Sequence, residues 1–274
     1  MDNTRVYVNT FAEGALTTEP EPITEDTVQI VMRSWKRSQT IAHYKLYGIE
    51  TVGTGESRQT FLVGDIGVAK IMLPSIPDYS GLAAGQAPDR LLEHWISGIV
   101  DDYDFQDEAN PVIVLSRAKA LQRMQEINVR RVQPGERAFG VIQGFLRGAY
   151  VMNVGGYPAV MPRAFYDWDY GMQGAVGDAF YVLVLPSRDG RIRVSRKALL
   201  KNPLDDASLR IKRGMIVRVR VTHSYRGSLK GEVRPGVKIS ISMANMHRIP
   251  QVGDEVSVRV LGSNSRELYG VVVR

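Results

Sequence analysis

The 274-residue chain has no cysteine and only four histidines, His43, His94, His223 and His247. Without thiols there is no disulfide and no thiolate metal site, which fits a reducing compartment. Four histidines far apart in sequence give little from which to build a metal centre, so neither metal nor cofactor is expected. No apolar run approaches the ~20 residues of a membrane-spanning helix. The first residues lack the basic-then-apolar order of a secretion signal. A cytoplasmic protein without membrane contact is therefore expected. Catalytic signatures are absent too. GTGES (53–57) lacks the Gly-Lys-Ser/Thr ending of a phosphate loop, and there is no Gly-x-Ser-x-Gly elbow. The acidic cluster Asp101, Asp102, Asp104, Asp107 and Glu108 lacks the central glycine and terminal glutamate of a calcium loop and reads as a solvated acidic loop. No catalytic residue is assigned, and the chain is read as a non-enzyme.

What is present begins with charge. The formal net charge is +6, which favours a polyanionic partner. Its distribution sharpens this. Residues 1–27 carry Asp2, Glu13, Glu19, Glu21, Glu25 and Asp26 against Arg5 alone. Residues 210–248 are rich in arginine and lysine, with Glu232 as their one acid. Residues 1–26, with Glu-Pro-Glu-Pro near their end, read as a flexible acidic arm.

Two stretches repeat one another. VGDIGVAKIMLPS (63–75) is followed, after a gap, by VIVLSRAKAL (112–121); VGGYPAVMPRA (154–164) is followed by RIRVSRKALL (191–200). Each is a glycine-bounded apolar strand ending in proline, a long connection, then a strand ending in Ser-Arg with a short helical run. An internal repeat constrains the whole architecture. Around it the strand signal is continuous. In the first copy, VQIVM (28–32) is expected as a strand and WKRSQT (35–40) as a basic loop. The segment 43–53 is expected as a strand, and residues 88–100 as a helix in the long connection. Residues 117–131 read as a helix with Ala118, Leu121, Met124 and Ile127 on one face, broken by Gln133-Pro134-Gly135. The second copy gives five short strands, with a hairpin turn at Asp189-Gly190 and the long connection between the third and fourth strands. That is the order of an OB-type Greek-key barrel. A third copy has a shorter connection and is expected as a reduced barrel.

The second copy carries a family resemblance. GVIQGFLRGAYVMNVGGYPAVMP, then VGDAFYVLVL, then GRIRVSRKAL resembles the S1 domain, the RNA-binding OB-fold repeated in ribosomal protein S1. The first copy resembles it in its second half, and the third in VGDEVSVRVL and strand rhythm. The fold expected is all-β with short connecting helices, as tandem five-stranded OB-type barrels. The expected organisation is an arm (1–26), a first barrel with insertions (27–117), a linker helix (118–135), a second barrel (136–201), a linker (202–211) and a third, divergent barrel (212–274).

The resemblance implies a binding face on the second and third strands and their loops, where flat π surfaces meet bases and cations meet phosphates. In the second copy this points to Phe145, Arg147, Tyr150, Arg163, Arg193 and Arg196; Val160 stands where many S1 domains place a second aromatic. In the first copy it points to Tyr47, and to Trp35, Lys36 and Arg37 in the loop. In the third copy, Arg218 and Arg220 alternate with Val217 and Val219 and so share one face; Tyr225, Arg226 and Lys230 extend it. The expected function is non-catalytic RNA binding in translation or mRNA handling. Its partners would be single-stranded RNA and a ribosome or other nucleoprotein complex. The alternative is a protein-interaction adaptor docking on a ribosome, a polymerase or a viral assembly.

Overall fold

The alternation of valine and arginine in IVRVRV resolves as expected: Val219 and Val221 are buried and Arg218 and Arg220 are exposed. The same period of two builds most of the molecule. The structure, a computed structural model, describes residues 5–16, 21–54, 57–82, 86–107, 110–169, 171–186, 190–225, 228–243, 249–264 and 267–273. Its contacts divide the chain into two compact units, residues 1–161 with 175–194 and residues 162–174 with 195–274.

The first unit opens with β1 (Arg5–Val8), β2 (Glu21–Pro22) and α1 (Glu25–Ser38), followed by β3 (Ala42–Val52), β4 (Gln59–Asp65) and β5 (Lys70–Pro74). Then come α2 (Pro77–Ser80), a 3-10 turn at Pro88–Leu91, β6 (Trp95–Asp104), β7 (Val112–Ser116) and α3 (Arg117–Asn128). β1 to β7 make one seven-stranded sheet, in which β3 also pairs with β6, so that five strands trace a ring. The second barrel is closed and comprises β8 (Arg137–Leu146), β9 (Ala149–Val154), β10 (Tyr157–Pro162), β11 (Ala179–Leu185) and β12 (Ile192–Ser195). The second unit holds α4 (Pro203–Arg210) and another closed barrel of β13 (Ile216–Tyr225), β14 (Ser228–Arg234), β15 (Val237–Ser242), β16 (Glu255–Ser263) and β17 (Leu268–Val272). In all three rings the first strand pairs with the second and the fourth, and the third runs parallel to the fifth. The third barrel, expected to be reduced, has its full five strands.

Two expected elements are replaced. Residues 25–38, read as a strand and a loop, form α1. Thr24 caps it with Thr27 in a capping box, acids occupy its first turn and Lys36 and Arg37 its last. Val28, Met32 and Trp35 recur at helical spacing and are its buried face, a signal masked by the β-branched run around them. Residues 95–104, partly read as helix, form β6. Ile96, Ser97, Gly98, Ile99 and Val100 are all buried, with α1 and α3 packed against the strand. A strand covered on both faces loses the alternation that reveals strands.

The segment read as a flexible arm is also structured where it is described. β1 pairs with β3, and the loop after it enters the first unit. Glu13 is 1% exposed. Its Oε1 accepts from Arg117 Nε at 2.6 Å and from the Ser97 amide at 3.2 Å. Its Oε2 accepts from Arg117 Nη2 and Gln143 Nε2, both at 2.7 Å. The Glu13 amide donates to Asn153 Oδ1 at 3.0 Å, and Asn128 Nδ2 donates to the Thr10 carbonyl at 2.7 Å. One loop thus joins β6, α3, β8 and β9. The β9–β10 turn closes on α3 just as tightly. A Cβ at Gly156, whose φ is +89°, would meet the Leu121 carbonyl oxygen at 2.8 Å, so only glycine permits the approach.

Candidate nucleic-acid interface

On the third barrel, strand register assembles a row of side chains on one outer face. His223 on β13 stands opposite Lys230 on β14, Lys230 opposite Ser240 on β15, and Ser240 opposite Tyr269 on β17. His223, Lys230 and Tyr269 are exposed, and Ser240 is half-buried. Tyr269 lies against Gly262 of β16. A Cβ there would meet Cζ of the ring at 2.5 Å, so the missing side chain is what lets the ring lie along the sheet. Tyr269 is 44% exposed. Lys230 Nζ is 3.4 Å from Glu267 Oε2. Sequence reasoning found Lys230 and missed Tyr269. Its signal was the pairing of Gly262 with an aromatic across the β16–β17 hairpin, which only the register reveals.

The neighbouring row carries alternating charge: Glu255 on β16, Arg220 on β13, Glu232 on β14 and Lys238 on β15. Arg218 Nη1 is 3.6 Å from Glu255 Oε2, with both side chains largely exposed. The arginine pair, expected among cations with Glu232 as the one acid, has a second carboxylate, Glu255, beside it. Burial first, then the charge of Asp169, pushes the Glu232 carboxyl above its ordinary value, against the pull of Lys238. Tyr225 is 58% exposed at the end of β13, opposite Ser228. Arg226 lies outside the described residues.

The second-barrel residues divide. Phe145, Arg147, Arg163 and Arg193 are exposed. Arg196 is engaged, its Nη1 donating to Asp167 at 2.8 Å and its guanidinium 4.7 Å from the centre of the Tyr166 ring. Tyr150 is a correction: it is 1% exposed and shares the inward parity of Met152 and Val154, so no base can stack on it. Its ring touches Phe145 at 5.7 Å between centroids. Phe145 lines a cleft of about 810 Å³ with Gln143, Arg90, His94, Trp95 and Gln125, and the Glu13–Arg117 pair forms part of its wall. Burial pushes the Glu13 carboxyl up, but the charge and hydrogen bonds of Arg117 outweigh it and hold the group below its ordinary value. Beside Glu13, burial lowers His43 to about 4, so this imidazole is neutral; its Nδ1 accepts from the Gly14 amide at 3.2 Å.

In the first barrel, Trp35 is a further correction. It sits on α1 rather than a loop and is 7% exposed, packed in the barrel's core. Lys36 Nζ donates to Asp102 at 2.8 Å. Arg37 is exposed on α1 and Tyr47 on β3, the latter by 52%. The acidic residues read as a loop lie partly on β6, where Asp101 pairs with Lys119 and Tyr79 and Asp102 with Lys36. Among the described residues no helix is long and apolar enough to cross a membrane.

No family model matches the chain, and no curated protein matches it. Among solved structures it is similar to one described as a multidomain protein with nucleic acid binding domains from Streptococcus pneumoniae, at 12% identity over 83% of this chain and 73% of that one. The TM-score is 0.21, and a likeness at that level carries no argument.

Proposed function

We propose that this chain is a non-catalytic protein that binds single-stranded RNA on the outer faces of its barrels, acting in translation or mRNA handling. The observation that carries this reading is Tyr269, a ring held along the sheet by Gly262 and flanked in register by Ser240, Lys230 and His223. A base needs an exposed π surface, a phosphate needs a cation, and a ribose hydroxyl needs a polar partner. That row supplies all three within one sheet face. Arg218 and Arg220 add charge beside it, and Tyr225 adds a second ring. Phe145 and Arg147 are proposed as contacts on the second barrel, and Arg37 and Tyr47 on the first.

Fluorescence titration of the full chain against single-stranded RNA, single-stranded DNA and duplex DNA of equal length tests the reading. The single strands should bind, RNA most tightly, with affinity falling as salt rises because phosphate contacts release counterions. A chain that ignores all three nucleic acids and instead forms a salt-resistant complex with a ribosomal or polymerase protein would be an adaptor.

A further inference from the structure

A second aromatic cluster lies on a different barrel face. The first and fourth strands of the second barrel, β8 and β11, pair so that Phe139 opposes Tyr181 and Arg137 opposes Leu183, which puts Arg137 diagonally beside Tyr181. These side chains point outward, because Ala138, Gly140 and Val182 between them are buried. The arm loop covers one end of this face, with Ala12 and Ala15 packed on Val141. It stops at Phe11. Beyond that rim is an open pocket of about 360 Å³ lined by Phe11, Asn128, Arg131, Arg137, Phe139 and Tyr181.

The geometry is that of a stacking site. Ring centroids of Phe11 and Phe139 are 5.8 Å apart, and those of Phe139 and Tyr181 are 5.1 Å apart at 82°. The Arg137 guanidinium sits 3.8 Å from the Tyr181 centroid. Phe11 is 38% and Tyr181 46% exposed, and both arginines are exposed. Among the described residues, neither arginine has a carboxylate within ion-pair distance. Asn128 donates to the Thr10 and Met124 carbonyls, which fixes its amide. Three rings and two unneutralised cations in one exposed pocket match a flat, anionic ligand better than an apolar one. A volume of about 360 Å³ falls in the range of small-ligand sites.

We infer that this pocket takes one nucleotide of a single-stranded nucleic acid, its base stacked on the Tyr181–Arg137 pair and its phosphate on Arg131. It is a site apart from the second- and third-strand face that the S1 resemblance implies. This inference rests on the nucleic-acid reading above. It is tested on the full chain by measuring single-strand affinity for Tyr181→Ala, Tyr181→Phe and the double variant Arg131→Ala/Arg137→Ala. Tyr181→Ala should weaken binding about 5- to 150-fold, while Tyr181→Phe keeps the ring and stays within about twofold. The double arginine variant, which alters only exposed side chains, should weaken binding and, because only Arg131 meets a phosphate, flatten the dependence of log K on log salt by about 0.7. Unchanged affinity and salt dependence in all variants, with the unaltered chain binding, overturns the pocket and leaves the general function standing. An unaltered chain that binds no single strand overturns both.

Discussion

The same strand order uses charge in opposite ways in the two units. In the first, Glu13 and Arg117 meet with side chains 1% and 10% exposed, every oxygen of the carboxylate engaged. In the second, Arg218 and Glu255 meet with side chains 84% and 62% exposed. The buried pair is architecture: it fixes the arm loop against α3, β6 and β8, and cannot be surrendered to a ligand. The exposed pair costs little to open, so its arginine is available to a phosphate.

Removing one partner should therefore separate the two regions sharply. Glu13→Ala leaves the Arg117 charge buried and should destabilise the first unit by about 3–5 kcal/mol. Chemical denaturation would read this as a large midpoint shift, and a loss below about 1 kcal/mol would make the pair incidental. Acid should find the same region next. His43 titrates near 4 in the folded chain against 6.5 as a free group, so the unfolded chain takes up its proton first as pH falls. The stability this group contributes is full above about pH 6.5, declines towards pH 4 and then levels, a change of about 3 kcal/mol. Glu13, lowered from 4.5, extends the loss to lower pH. His43→Gln should remove the higher-pH part of the slope; an unchanged slope would place it elsewhere. On the exposed side, Tyr269→Ala should cost about 1–3 kcal/mol of RNA affinity with little change in melting temperature. Glu255→Gln should be smallest, shifting stability by less than about 0.5 kcal/mol. It should also strengthen RNA binding by freeing Arg218, and a weaker complex would contradict that.

Much of the barrel order was legible because strands with one wet face advertise it. The valine–arginine alternation of β13 and the glycine-to-proline strands of the repeat are such cases. What was hidden has physical causes. α1 hid behind β-branched residues, although its acidic first turn and basic last turn were visible. β6 is buried on both faces and carries no period of two. Tyr150 and Val151 are adjacent apolar residues, and sequence alone does not say which faces inward. Glu13 is matched to Arg117 across 104 positions, beyond the reach of any local pattern. The Phe11, Phe139 and Tyr181 cluster likewise exists only once β8, β11 and the arm loop are brought together.

The claim that the exposed barrel faces bind single-stranded RNA is tested most directly by photocrosslinking a thiouridine-containing strand to the full chain and mapping the modified peptides. Attachment should fall on β14 and β17, at or beside Tyr269, and diminish in the Tyr269→Ala variant. A saturated complex with no attachment on the third barrel, or no complex at all, would contradict the account.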